Sequence, residues 1–175
     1  MQGLYSLHIA ISSFNKVLGK LVSYLTLVMA LLMFSVVVLR YVFNVGWIAM
    51  QESVTYLHAA VFLVGAAYTY QQDGHVRVDV FYRQFSERRK AMVNFFGTLF
   101  FLLPTSIFIT VVSWDYVIES WANLEGSRES GGLPFLYVLK SFILVFSITL
   151  SLQGLSELIK QGSILFGGKA KQEKQ

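Results

Sequence analysis

Cysteine is absent, proline occurs twice, and only 14% of the 175 residues are charged. The missing thiols exclude disulfide scaffolds, thiolate metal sites, cysteine nucleophiles and thiol redox chemistry together. Two prolines are too few to punctuate a loop-rich fold. Soluble domains carry about a quarter charged residues, so this chain lacks the means to make a water-facing surface. Its hydrophobic share of 55% and mean hydropathy of +0.57 place it in a lipid bilayer instead. The length leaves no room for a membrane part plus a sizeable soluble catalytic domain. The net charge is +4, but the cations form no stripe interleaved with exposed aromatics, and a nucleic-acid partner is not expected. A cleaved signal peptide is not expected either. The residues up to Lys20 are mixed, and the uncharged run beyond them exceeds a signal-peptide core.

What is present is a set of long charge-free runs. Leu21 to Leu39, Ser53 to Gln72 and Ala91 to Trp114 are each bounded by charged residues, and each approaches or exceeds the roughly 20 residues that cross about 30 Å of hydrocarbon. The fourth run, Ser141 to Ser156, has 16 residues, or about 24 Å of helix. It reaches spanning length only by borrowing Leu133 to Leu139, which places Lys140 inside the span. The runs are continuously apolar rather than alternating, which favours helices over transmembrane strands. The sequence therefore predicts an all-α integral membrane protein with one domain over 1–175 and four transmembrane helices at about 21–39, 53–72, 91–114 and 134–157.

Lys16, Lys20, Arg77, Arg83, Arg88, Arg89, Lys90, Lys160, Lys169, Lys171 and Lys174 fall on one side of this arrangement, against Arg40, Arg128 and the embedded Lys140 on the other. That bias predicts cytoplasmic N and C termini. Asp115, Glu119, Glu125 and Glu129 then belong to an extracytoplasmic loop. Leu4, Leu7, Ile11, Phe14 and Leu18 recur at helical spacing among serines, Asn15 and Lys16, which predicts an interfacial amphipathic helix over about 4–18; an extension of the first span is the alternative. A second amphipathic candidate follows the second span, with Val78, Phe81 and Phe85 on one face before the basic triplet Arg88, Arg89 and Lys90. The triplet reads either as a topology signal or as a contact for anionic lipid headgroups. Trp47, Trp114, Tyr116 and Trp121 fit an aromatic belt at the outer boundary.

Few positions offer chemistry. His58 is the one histidine within a predicted span, but His8 and His75 lie outside the spans, so a bis-histidine haem site is disfavoured. A neutral His58 hydrogen-bonded at a helix contact is the expectation. Glu52 and Lys140 both fall near the outer boundary, where Lys140 either snorkels outward or pairs with Glu52. Gly65, Ala66 and Ala67, with Thr69 beyond, leave a thin helix face suited to close packing. Pro104 is expected to bend the third span, and Pro134 suits the first turn of the fourth. No span carries an acid that would bind a coupling proton, and no catalytic set, metal-ligand cluster, phosphate loop or inverted repeat can be assembled. No cofactor is expected.

Several strings in order resemble a known family. They are Arg40-Tyr41-Val42-Phe43-Asn44, Trp47 with Glu52 five residues on, Gly65-Ala66-Ala67, His75-Val76-Arg77-Val78-Asp79, Gly132-Leu133-Pro134 and Gln153-Gly154. Together they resemble the small membrane subunit, the DctQ-like permease, of tripartite ATP-independent periplasmic (TRAP) transporters. The resemblance implies a non-enzymatic subunit in a bacterial inner membrane, bracing a large multi-span permease that imports an organic anion on a sodium gradient. It also implies a soluble extracytoplasmic protein that delivers substrate. Arg40, Trp47, Glu52, Gly65, Ala66, His75, Arg77, Asp79, Pro134 and Lys140 are then candidates for partner contact or structure, with a structural role favoured for the His75–Asp79 string. Two other classes compete: an autonomous four-span exporter, and a membrane anchor of a respiratory complex that uses His58 as a haem ligand.

Overall fold

The computed structural model describes residues 2–76 and 79–166, and every regular element among them is helical. α1 (Gln2–Tyr41) is one unbroken helix of 40 residues. α2 (Ile48–Ala59) passes through a wide π turn (Ala60–Val64) into α3 (Gly65–Gln71). A short α4 (Asp79–Tyr82) sits in the elbow before α5 (Glu87–Gly97), which runs through a second π turn (Thr98–Leu102) into α6 (Leu103–Ala122). α7 (Leu136–Phe166) closes the described chain.

Among the described residues, three helices are long and apolar enough to cross a membrane: Tyr5–Tyr41, Glu87–Ala122 and Leu136–Phe166. The sequence argument ended the fourth span at about residue 157, and α7 continues to Phe166 over 31 residues, adding turns beyond Glu157, where the charge-free run had stopped. The segment from Ile48 to Gln71 is helical throughout but is not one of the three. Gln51, Glu52, His58 and three tyrosines dilute it.

The segment over 4–18 is not set apart from the first span, since both lie in α1. Its faces are also the reverse of a helix lying on a soluble core. Asn15 is buried at 1% exposure, while Leu7 and Phe14 are about half exposed. Helices in lipid gain nothing by hiding leucine from hydrocarbon, so polar and small residues take the contacts between them. The same inversion holds elsewhere: Leu27, Phe34, Phe62 and Phe108 face outward, whereas Ser106, Ser147, Thr149, Gln153 and Ser156 are buried.

α7 is the hub, packed against α1, α3, α5 and α6. Two glycines set the closest crossings. A Cβ at Gly154 of α7 would lie 2.7 Å from Leu102 and 3.0 Å from Leu103, and one at Gly19 of α1 would collide with the Tyr68 ring. Gly65, placed on a thin face by the sequence, looks toward Val22 of α1 at an ordinary 3.8 Å. The expected bend at Pro104 takes the form of the second π turn just before it. Proline has no N–H and crowds the carbonyl four residues back, here Phe100 inside that turn, and a widened turn accommodates the mismatch. Pro134 lies outside the helix it was expected to enter, two residues before Leu136.

The helices run antiparallel, so chain ends and loops gather by sign. His8 of α1 bonds Ser156 of α7 at 2.7 Å, and Phe95 of α5 meets Phe166 at 6.2 Å between ring centroids. The beginning of α1, the end of α7 and the basic start of α5 therefore share one end. Glu52, the loop over 123–135 and Lys140 share the other.

Candidate functional site

Three polar layers cross the bundle, and each is built by a different pair of elements. At the basic end, His8, Ser12 and Asn15 recur at i, i+4 and i+7 on α1 and meet α7. The His8 Nδ1 contacts the Ser156 Oγ at 2.7 Å, Ser12 and Ser156 hydroxyls lie 3.1 Å apart, and the Asn15 amide donates to the Gln153 Oε1 at 2.9 Å. Gln71, at the end of α3, donates to the Ser12 carbonyl at 2.9 Å. The Asn15 Oδ1 and Gln71 Oε1 are buried acceptors with no protein donor. The amides and hydroxyls of this ladder carry no formal charge.

The middle layer is made of hydroxyls. Thr110 of α6 donates to Ser147 of α7 at 2.8 Å, and Ser151 donates to Ser106 at 2.8 Å. Each of these serines and Thr110 also bonds a carbonyl of its own helix, so none of these four hydroxyls goes without a partner. Small side chains bring the backbones close.

The outer layer ties down the loop over 123–135. The Ser127 hydroxyl donates to the Glu52 Oε1, and the Leu133 N–H donates to the Glu52 Oε2 at 2.6 Å. A Cβ at Gly132 would lie 2.9 Å from the same carboxylate and would also meet Ser127, so only glycine lets the loop seat against Glu52. The Lys140 ammonium pairs with Glu125 rather than Glu52 and sits 3.9 Å from the centre of the Tyr116 ring. Ser120 donates to the other side of this pair, reaching the Glu125 Oε2 at 2.7 Å. The Lys140 hydrogen bond, followed by that from Ser120, holds the Glu125 carboxyl below the usual carboxylate range. Trp121 completes the layer, with its Nε1 donating to Ser141 at 2.7 Å and its ring 4.6 Å from that of Tyr137. The loop enters through a C-terminal turn in which the Glu125 N–H returns to the Ser120 carbonyl and the Leu124 N–H to Trp121, the pattern of a helix closed by a left-handed residue.

The residues singled out by sequence divide accordingly. Glu52 and Lys140 lie in the outer layer but bond different partners, because Glu52 is already occupied by the loop. Gly65 and Ala66 lie in the partly buried stretch of α3 facing α1. Arg40 is exposed in the last turn of α1, where its charge complements the negative end of the helix dipole. Trp47 is exposed at the N-terminal boundary of α2. His75 is exposed with its ring 6.2 Å from that of Tyr70. Arg77 lies outside the described residues, and of Asp79 only its place at the start of α4 is described. Pro134 precedes α7. His58 is not held at a helix contact as expected; it is exposed and stacked on Phe62 at 6.0 Å.

His8, Ser12, Asn15, Gln71 and Ser156 were not foreseen as a set. Their signal was present as polar residues at i, i+4 and i+7 in α1, but those positions read as a water-facing stripe. Gln153 was noticed only as part of a family string.

Comparison with known proteins gives one match. A family model described as the DctQ component of tripartite ATP-independent periplasmic transporters matches residues 29–162. No curated protein and no solved structure matches the chain.

Proposed function

The chain belongs to the DctQ-component family of tripartite ATP-independent periplasmic transporters, and from that premise we propose that this small permease subunit braces the large membrane subunit. The complex imports an organic anion, a carboxylate, on a sodium gradient, with a soluble extracytoplasmic protein delivering substrate. The family match carries the assignment to the transporter. The bracing role is supported by the chemistry of the interior: its buried polar groups are amides and hydroxyls bonded from helix to helix, while Glu52 and Glu125 are engaged in fastening a loop. Coupling ions and anionic substrates are instead bound by charged or unwound helix sites.

The membrane arrangement follows the same lines. We infer four spans, the fourth being the diluted helix from Ile48 to Gln71, with both termini in the cytoplasm of a bacterial inner membrane. α1 supplies the face for the partner. Its most apolar stretch has no buried residue, and Tyr24, Leu27, Leu31 and Phe34 are all more than half exposed. A helix fastened on one side presents its free side to another protein or to lipid. The extracytoplasmic loop, with its acids, lies where the delivery protein would approach.

The absence of native cysteine makes a direct test simple. Single cysteines at Leu27, Leu31 and Phe34, paired with cysteines on the large subunit, should give intersubunit crosslinks in membranes. Cysteines at Phe108 and Val111 of α6 serve as comparison. Crosslinks from the α6 positions and none from α1 would overturn this assignment of the face, and no crosslink from any position would overturn the brace.

A further inference from the structure

An open groove of about 730 Å³ runs between the elbow after α3 and the helix that α5 and α6 form. Its inner wall is formed by Gly97, Phe101 and Thr105, and its mouth by His75, Tyr82 and Asn94. From Asn94 to Thr105 the wall extends about 16 Å along the helix, passing from amide and hydroxyl groups to hydrocarbon. The mouth is rigid. The Asn94 amide donates to the Tyr82 hydroxyl at 2.9 Å, and the Tyr70 and Thr98 hydroxyls lie 2.7 Å apart. The floor is open at Gly97, where a Cβ would meet nothing within 4 Å. Phe81 and Phe101 line the groove and are nevertheless about three-quarters exposed.

We propose that this groove holds one acyl chain of an anionic phospholipid, with the headgroup at the basic rim. The gradient from polar mouth to apolar interior fits an amphiphile aligned with the surrounding lipids; a soluble metabolite would leave the interior unmatched. The charge at the rim selects the headgroup. The Lys90 ammonium lies 6.0 Å from the centre of the Tyr82 ring, and Arg88 and Arg89 are exposed on the same helical turn. Of the acids in this region, Glu87 lies 3.0 Å from Lys90 and Asp73 is in the lining, while Asp79 at the start of α4 and Arg83 just after α4 add one charge of each sign. With Arg83, the cations of α5 exceed these carboxylates, and clustered cations beside a membrane attract anionic lipid. The assignment rests on membrane residence alone and does not depend on the bracing role.

The test uses full-length protein in native membrane vesicles and a phosphatidylglycerol carrying a diazirine near the end of one acyl chain. After illumination, adducts should concentrate on the peptide containing Phe101 to Thr105, above the level at exposed Phe62 and Phe108. Gly97→Leu, whose Cβ would meet nothing within 4 Å, adds bulk to the floor and should remove that excess. Lys90→Gln should lower labelling by phosphatidylglycerol to that of a phosphatidylcholine probe with the same chains. If Gly97→Leu does not accumulate, Val93→Phe narrows the same groove from its rim. Labelling spread evenly over all exposed phenylalanines, or unchanged by these substitutions, would overturn the proposal by showing only the general lipid annulus. Adduct-free groove peptides, with a crosslink from Phe101 to the large subunit, would overturn it in favour of a protein occupant and leave the bracing role intact.

Discussion

Glu52 and Lys140 show how one side chain's commitments decide another's. Both were placed at the outer boundary by charge counting, and a pair between them was one of two readings. The Glu52 carboxylate is instead filled by Ser127 and the Leu133 N–H, and Lys140 turns to Glu125. Reversing Lys140 to glutamate should therefore impair assembly, and adding Glu125→Lys should restore it, whereas adding Glu52→Lys should not. Yield and thermal midpoint of the purified protein measure this directly. Rescue by Glu52→Lys would contradict the observed pairing. The same cluster sets a pH dependence. The Glu125 carboxyl is held below its ordinary value, so its contribution is present above the unfolded carboxylate value of about 4.3 and is lost as pH falls through the lower folded value. Thermal midpoints taken on acidification should fall in the native protein and fall less in Glu125→Gln. Nothing in the sequence distinguished these partners, because the contacts join residues 15 and 81 positions apart through a loop whose path follows from Gly132 and the turn at Leu124.

At the scale of elements, helix existence was legible and helix facing was not. Long charge-free runs require helices in lipid, and the structure has them. The amphipathic pattern over 4–18 was read by the rule for a helix at a water boundary, with its polar stripe outward. In the bundle that stripe becomes the adhesive, since interhelical hydrogen bonds and small residues replace hydrophobic burial as the source of contact. Asn15 and Gln153 allow this to be measured. Asn15→Leu leaves the buried Gln153 carbonyl without its donor and should destabilise by roughly 1 kcal/mol, between the average of about 0.6 and the maximum of about 1.7 for such bonds in membranes. Asn15→Leu combined with Gln153→Leu should recover part of the loss, because both unsatisfied groups are then removed. A denaturing-detergent titration of the two singles and the double gives the coupling. Strict additivity would mean that the ladder is incidental. The π turns lay beyond sequence reading for a similar reason: Pro104 announced a disturbance, but its form depends on how α7 packs on the turn at Leu102 and Leu103.

For the whole molecule, the composition that opened the sequence argument carries further than membrane residence. Most large apolar residues face outward, and amides and hydroxyls make up much of the buried interior, with Glu52, Glu125 and Lys140 gathered where the outer loop is fastened. The ordered strings from Arg40 to Gly154 pointed to the family that matches residues 29–162, although the interior ladder reaches back to His8, outside both. The number of spans was less legible. Counting charges predicted four spans, the fourth only by borrowing residues before Lys140, whereas apolarity and length among the described residues select the first, third and fourth. The central claim is that this chain supports transport without conducting it, and reconstitution tests that claim most directly. Proteoliposomes holding the chain alone, the large subunit alone, or both together are supplied with the delivery protein, a carboxylate substrate and an inward sodium gradient. The account predicts uptake when both membrane subunits are present and none with this chain alone. Gradient-driven flux through this chain by itself, or full uptake without it, would contradict the account.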